Sequence, residues 1–150
     1  QPQTWDFRYG QPFTAETEEA LLEALDRPYI SGLTLLGGEP FEPDNQRALL
    51  PFLRRLRQQL PDKTVWAFSG YTWEELTGQS RARCEATGAL LSLVDVLVDG
   101  PFVEAEKSYA ALFRGSANQR LIDVPKSLAA GAVVLWERPD PLAHFTRPES

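Results

Sequence analysis

Residues 32–40 read Gly-Leu-Thr-Leu-Leu-Gly-Gly-Glu-Pro, an apolar run that stops at two glycines, a carboxylate and a proline. The length and composition of Gly32 to Leu36 predict a buried strand. Gly37 and Gly38 allow backbone angles that are closed to other residues and leave room for a ligand. Glu39 adds a carboxylate beside exposed carbonyl groups, a combination that fits an ammonium group. The same residues are also typical of an ordinary turn, because glycine and proline punctuate loops everywhere.

The composition is that of one globular domain with its own core. The chain has 150 residues, and no linker-like stretch divides it. A net charge of −6 argues against non-specific nucleic-acid binding. No apolar run approaches the roughly 20 residues of a membrane span and no secretory signal is visible, so we expect no membrane partner. The one thiol of the chain cannot form an internal disulfide, so we expect a cytoplasmic protein and not a disulfide-bonded secreted one. A single cysteine, Cys84, leaves no set of thiolates for a metal ion or an iron–sulfur cluster.

A strand, a turn and a helical pattern follow one another three times along the chain. The predicted strands are Gly32–Leu36, Thr64–Phe68 and Val94–Val98. The turns that follow them are Gly37-Gly38-Glu39, Ser69-Gly70-Tyr71 and Asp99-Gly100. Sequential strands with helical crossovers form a parallel sheet, so we expect the three turns to lie on the same edge. Open α/β sheets bind their ligands at that edge.

The rest of the chain is predicted from leucine spacing and turn residues. Helical regions are expected to begin near Thr14, near Asp44 and at a capping box formed by Thr72 with Glu75. The third region is expected to break near Gly78 and to resume from residue 81 to residue 91. We expect residues 1–12 to be irregular and residues 121–124 to form a short strand. Residues 126–136 are expected to form a hairpin-like or strand segment, and residues 138–150 a poorly ordered tail.

Several blocks of the chain carry a family resemblance. In order they are Pro2-Gln3-Thr4-Trp5-Asp6-Phe7, residues 32–40, Trp66 with Ser69-Gly70-Tyr71, Val94 to Gly100 with Phe102, and Phe113-Arg114-Gly115-Ser116-Ala117-Asn118-Gln119. With these blocks the chain resembles the activating proteins of anaerobic ribonucleoside-triphosphate reductases, which are small radical S-adenosylmethionine enzymes. The resemblance implies an α/β fold, an open, partial parallel β/α barrel that forms a single domain over residues 1–150.

The resemblance also implies a chemistry. Members of this family hold a 4Fe-4S cluster through three cysteines in a Cys-x3-Cys-x2-Cys loop, and S-adenosylmethionine binds the fourth iron. Reduction, by a donor such as flavodoxin, yields a 5′-deoxyadenosyl radical that takes a hydrogen from a glycine of the partner reductase. In the family those cysteines stand just before the segment matched by Gln1 to Trp5, so we expect an N-terminally truncated activase. The alternative is a cluster-free paralogue that docks on the reductase or binds a nucleoside.

The first two turns match the part of the family site that binds S-adenosylmethionine. The resemblance assigns Gly37, Gly38 and Glu39 to the ammonium of its methionyl group. The turn Ser69-Gly70-Tyr71 matches the next strand end, where a hydroxyl and exposed backbone meet the ligand carboxylate or ribose. The alternative for this second turn is a purely structural one in which Tyr71 packs against the core.

The third turn and a later polar loop complete the expected site. Asp99 either bonds the ligand or the partner, or it caps its own loop. Arg114, Ser116 and Asn118 resemble the loop that closes the site: Arg114 either neutralises the ligand carboxylate or binds the reductase, and Asn118 bonds backbone or adenine. A structural lock of the loop is the competing interpretation. No residue of this chain is assigned a catalytic or metal-binding role.

Overall fold

The computed structural model describes residues 4–7, 15–36, 38–101 and 119–137. In these ranges the chain is an α/β domain, as the sequence predicted, with a sheet in the order β1-β2-β3-β4-β5. The strands are β1 Thr4–Phe7, β2 Gly32–Leu35, β3 Thr64–Phe68, β4 Val96–Asp99 and β5 Arg120–Asp123. The helices are α1 Ala15–Leu25, α2 Pro43–Gln59, α3 Trp73–Thr77, α4 Thr87–Leu91 and α5 Val124–Ala130.

The sheet is mixed, which corrects the expectation of a parallel sheet at its last strand. β1 to β4 pair in parallel, each with the next, whereas β5 runs antiparallel to β4. The antiparallel register sets Arg120 directly opposite Asp99, so two opposite charges meet across the strand pair. Because β2, β3 and β4 are parallel neighbours, their carboxyl ends lie at one edge, as predicted.

The core combines side chains of the sheet with side chains of helices α1, α2, α3 and α4. From the strands it takes Leu33, Leu35, Val65, Ala67, Leu97 and Ile122, and from α2 it takes Leu49, Phe52, Leu53 and Leu56. The spacing of the α2 residues is that of one helical face, which confirms the predicted helix. This helix begins at Pro43, where the missing N–H of proline removes no intrahelical bond.

Residues 1–12 are not wholly irregular, contrary to the prediction. Thr4–Phe7 forms β1 and pairs with β2, with Asp6 opposite Thr34. This segment has only four residues, one of them the charged Asp6, and shows no strand periodicity of its own. Its pairing with β2 is therefore what makes it a strand.

The helix expected over residues 81–91 is confined to Thr87–Leu91. In the preceding turns, side-chain hydroxyl oxygens accept hydrogen bonds from backbone N–H groups. In a helix these N–H groups would donate to backbone carbonyls instead. The amide of Ala82 donates to the hydroxyl of Ser80 at 3.2 Å, and that of Cys84 donates to Thr87 Oγ1 at 2.9 Å. Such local bonds compete with the helical pattern and delay its start.

The segment 126–136, expected to be a hairpin or strand, is helical in its first half. The carboxylate of Asp123 accepts a hydrogen bond from the amide of Lys126 at 3.0 Å and caps α5, which has a proline in its first turn. After α5, the chain returns antiparallel to β5. The amide of Asp123 donates to the carbonyl of Val134 at 2.8 Å, and the amide of Trp136 donates to the carbonyl of Leu121 at 2.9 Å. Leu135 forms a bridge with Ile122, so the hairpin-like expectation holds for residues 134–136. The tail 138–150 lies outside the described residues.

Candidate functional site

Backbone and side-chain hydrogen bonds join the turns after β2, β3 and β4. The amide of Ser69 donates to the carbonyl of Val98 at 2.9 Å, and the amide of Gly100 donates to the carbonyl of Tyr71 at 3.0 Å. The carboxylate of Glu39 reaches across to the turn after β3. The predicted meeting of the turns is therefore confirmed for every member except Gly37, which lies outside the described residues.

The carboxylate of Glu39 is the centre of this edge. Its Oε2 accepts hydrogen bonds from the amide of Phe41 at 3.0 Å and from the hydroxyl of Ser69 at 2.7 Å. Its Oε1 accepts one from the amide of Gly70 at 2.7 Å. An ionised carboxylate offers about four acceptor positions, so within the described part of the chain the fourth, on Oε1, has no donor. The donors fix the carboxylate in place before any ligand arrives.

The turn that carries Glu39 has an unusual backbone. Gly38 and Glu39 both have left-handed backbone angles, with φ of 82° and 41°. For a residue other than glycine this conformation costs about 1–2 kcal/mol, so the surroundings must hold it. The side-chain amide of Asn45 does so, because it donates to the carbonyls of Gly38 at 2.6 Å and Glu39 at 2.9 Å.

Asn45 therefore donates hydrogen bonds to the same carbonyl groups that were predicted from the sequence to accept an ammonium group. The carbonyl of Glu39 also accepts the amide of Glu42 at 3.1 Å, so both of its lone pairs are used. Among the described contacts, only the carbonyl of Gly38 keeps a second lone pair. Asn45 is not among the site residues predicted from the sequence, and its only local signal is an amide in the first turn of the helix that follows the turn.

The turn Ser69-Gly70-Tyr71 supports Glu39 from the neighbouring strand. Ser69 is buried. Its hydroxyl donates its one hydrogen to Glu39 and accepts a hydrogen bond from the amide of Tyr71 at 3.0 Å. A β-carbon added at Gly70 would lie 3.3 Å from Oε1 of Glu39, so the glycine keeps that carboxylate oxygen accessible. The hydroxyl proton of Ser69 is therefore directed at Glu39, and Ser69 itself is not among the residues that line the cleft.

Tyr71 belongs to a polar group on the rim of the edge. Its hydroxyl donates to Oε1 of Glu42 at 3.2 Å and accepts from Nε of Arg81 at 2.7 Å. A second nitrogen of Arg81 donates to Oε2 of Glu42 at 2.6 Å. The ring of Tyr71 also packs against the core, as the structural interpretation predicted, and the residue lines the cleft at this edge. Its contact with a ligand stays a prediction.

An open cleft of about 630 Å³ lies at this edge of the sheet. Its lining residues are Glu39, Glu42, Gly70, Tyr71, Thr72, Glu75 and Pro101. The volume is within the range of small-molecule sites. Of the acidic side chains in the lining, Glu42 is paired with Arg81, and Glu75 accepts the amide of Thr72 at 2.9 Å in the predicted capping box. A cleft with this excess of carboxylates and an aromatic ring favours a cationic ligand.

Asp99 is buried at the end of β4 and takes a role that neither sequence interpretation described. Its Oδ2 accepts the amide of Trp73, the first residue of α3, at 2.7 Å. Arg120 donates to both carboxylate oxygens, at 3.0 Å from Nε and 2.5 Å from Nη2. Asp99 thus caps a neighbouring helix, and its buried carboxylate pairs with the half-exposed guanidinium of Arg120. Sequence reasoning missed Arg120, although it directly follows the block that carries the family resemblance.

The polar loop predicted to close the site is described only at its end. Arg114, Ser116 and Asn118 lie outside the described residues. Gln119, which ends the block, is buried, and its side-chain amide donates to the carbonyl of Gly100 at 2.7 Å. The base of the loop is therefore tied to the end of β4, beside the cleft residue Pro101.

The residues present do not fit an iron–sulfur cluster. Cys84 is the single cysteine of the 150 residues, and its sulfur lies 3.5 Å from the amide oxygen of Gln46. Clusters of this type are held by several thiolates. Nor does any group of three or more His, Cys, Asp or Glu side chains, within the described ranges, have an arrangement that could hold a metal ion.

Comparison with known proteins assigns the family. A family model described as a 4Fe-4S single cluster domain matches residues 1–122. A protein of Pasteurella multocida named anaerobic ribonucleoside-triphosphate reductase-activating protein is 39% identical over 118 residues, which cover 77% of this chain and 72% of that protein. Proteins of the same name from Escherichia coli K12 and from phage T4 are each 36% identical over 118 residues, covering 77% and 79% of this chain and 72% and 69% of theirs.

The chain belongs to the family of anaerobic ribonucleoside-triphosphate reductase-activating proteins. The resemblance seen in the sequence blocks is thereby confirmed, together with membership in an iron–sulfur domain family. No solved structure matches the chain. Among the described residues of this family member, no helix has the length and apolar character needed to cross a membrane.

Proposed function

We propose that these residues form the ligand-binding part of a radical S-adenosylmethionine enzyme that activates an anaerobic ribonucleoside-triphosphate reductase. The observation that carries the proposal is the carboxylate of Glu39, held by three donors at the edge of an acidic cleft with one acceptor position left over. Family membership supplies the reaction class, because the relatives are named as activating proteins of that reductase. We further propose that the sheet is part of an open β/α barrel.

The ligand fits the cleft by charge. S-adenosylmethionine carries an ammonium and a sulfonium, both positive, at one end of a nucleoside. In the proposed complex the ammonium donates to the remaining acceptor position of Glu39, and the carboxylate of Glu75, which has no cation bonded to it among the described contacts, favours the sulfonium electrostatically. The exposed backbone at Gly70 allows close approach, since no side chain covers Oε1 of Glu39 there.

The proposed reaction begins with a one-electron reduction that breaks the sulfonium carbon–sulfur bond. Methionine leaves as the neutral thioether, and the 5′-deoxyadenosyl radical takes a hydrogen atom from a glycine of the reductase to give 5′-deoxyadenosine and a glycyl radical. The electron would come from a 4Fe-4S cluster and a donor such as flavodoxin. The described residues hold no such cluster, so their own contribution is to bind and orient the ligand.

A cluster-free binding module is the second candidate, because the contacts that hold Glu39 ready for a ligand involve no metal-binding group. Such a protein would bind the nucleoside or the reductase without cleaving S-adenosylmethionine. The two candidates make the same prediction for ligand binding at Glu39 and opposite predictions for turnover.

The test is an assay of the full-length protein, reconstituted with iron and sulfide under anaerobic conditions, then given a reductant, S-adenosylmethionine and the reductase. We expect 5′-deoxyadenosine and methionine in equal amounts by mass spectrometry, and a glycyl radical by electron paramagnetic resonance. The control is a reductase whose radical glycine is replaced by alanine. A reconstituted protein that binds the ligand but releases no 5′-deoxyadenosine under strong reduction contradicts the enzyme and supports the binding module.

A further inference from the structure

An ion pair between the buried carboxylate of Asp99 and the half-exposed guanidinium of Arg120 lies beside the cleft, and the ligand does not use it in the proposed function. Asp99 is 1% exposed, and its carboxylate accepts hydrogen bonds only from groups of α3 and β5 among the contacts described. We propose that Arg120 and Asp99 are positioning residues that set the wall of the cleft. This inference rests on the proposed function for its ligand.

The connection between the ion pair and the cleft is short. Trp73, whose amide donates to Asp99, directly follows Tyr71 and Thr72, which both line the cleft. The carbonyl of Tyr71 accepts the amide of Gly100, the residue after Asp99. The wall is therefore bonded on both sides of Thr72 to the end of β4. A rotation of the Asp99 carboxylate would move the start of α3 and, with it, the wall.

Arg120 determines how that carboxylate is oriented. Its guanidinium contacts both oxygens of Asp99, and it also donates to Glu74 of α3 at 2.7 and 3.3 Å. One planar group thus links the end of β4 to the first turn of α3. A lysine retains the charge but not the fork of donors, so it cannot reproduce both sets of contacts. Without a cation, Asp99 would be a buried charge lacking its counter-ion, which forces it to shift or to take up a proton.

The same chain offers a matched control at the opposite edge of the sheet. Arg57 donates to Asp95 Oδ2 at 2.7 Å, and the same oxygen accepts the amide of Val65 at 2.7 Å. This is again an arginine, an aspartate and a backbone amide of a neighbouring element. It lies at the amino ends of β3 and β4, away from the cleft.

The experiment compares R120Q and R120K with R57Q and R57K in the full-length protein. The affinity for S-adenosylhomocysteine and S-adenosylmethionine is measured by calorimetry, and hydrogen exchange is measured for the peptides that contain Trp73 and Gly100. We expect R120Q to weaken binding by about tenfold or more and to speed exchange at both peptides. R120K, which keeps the charge, should recover part of the affinity. The Arg57 variants should lower the melting temperature without changing the affinity.

The outcomes separate the two proposals. A wild-type protein that binds neither nucleoside overturns the proposed function, and this inference falls with it. Normal binding by the wild type together with unchanged affinity and exchange in R120Q overturns only the positioning role. An R57Q protein that loses as much affinity as R120Q also contradicts it, because the effect would then be general destabilisation. If R120Q fails to fold, R120K is compared with R57K by the same measurements of ligand affinity and hydrogen exchange. Unchanged affinity and exchange in R120K, or an equal loss of affinity in R57K, would then contradict the positioning role.

Discussion

Replacing Glu39 by glutamine tests the centre of the proposed site. The carboxylate accepts three hydrogen bonds, from Phe41, Ser69 and Gly70, and the amide of glutamine has only one oxygen to accept them. At least one donor will then face an NH₂ group. The proposed hydrogen bond from the ligand ammonium would then go to a neutral amide and no longer to a charged carboxylate. The shape of the side chain is unchanged, so any effect comes from hydrogen bonding and charge.

The magnitude follows from the strength of such bonds. A hydrogen bond that involves a charged group contributes about 1.5–3 kcal/mol. The loss of one to the ligand ammonium should therefore raise the Kd for S-adenosylmethionine by about 10- to 100-fold. The loss of one internal bond should lower the free energy of unfolding by about 1–3 kcal/mol. Glu39 is half-buried, which leaves these bonds only partly screened by water.

The assay is calorimetric titration with S-adenosylmethionine alongside chemical denaturation. The matched control is Glu75→Gln, which removes the same charge from the same cleft, while glutamine is also accepted in a capping box. A charge lost away from the ammonium should change binding by about 1 kcal/mol or less. The reasoning is refuted if folded Glu39→Gln binds as tightly as the wild type, or if Glu75→Gln weakens binding equally.

Three further predictions address the support of the site and the fold. Ser69→Ala removes one of the three donors to Glu39 and should lower the stability by about 1–2 kcal/mol and weaken ligand binding severalfold in calorimetry, whereas an unchanged affinity would contradict its supporting role. Gly32→Ala places a β-carbon 2.1 Å from a backbone carbonyl oxygen of β3, so thermal melting should show a loss of about 1–3 kcal/mol or more, and a wild-type melting temperature would contradict the close approach. Arg120 lowers the pKa of Glu74 below its ordinary value of 4.5 mainly through their hydrogen bonds, so the stability from this pair is present above pH 4.5 and is lost as the pH falls below it. Glu74→Gln should therefore flatten the dependence of the melting temperature on pH in the acid range, and an unchanged slope would rule out this contribution.

The sequence by itself determined the elements whose signals are local. The apolar runs of β2 and β3, the helical spacing of α2 and the capping box at Thr72 are each written in neighbouring residues. Because parallel strands with helical crossovers can only end on one edge, the meeting of the turns also followed from the order of the elements. The family blocks pointed to the same edge and to the same class of protein.

Only the tertiary structure decided which groups hold that edge together. β1 exists because β2 offers it a partner, and the pair of Asp99 with Arg120 exists because β5 returns antiparallel. The sharing of the Glu39 carboxylate among three donors and the hold of Asn45 on the turn are likewise contacts between separate segments. A pattern in the sequence records which residues prefer a strand, a turn or a helix. The acceptor positions that remain for a ligand are those that other segments of the chain do not already occupy with hydrogen bonds. Which positions these are is determined only when the segments pack together.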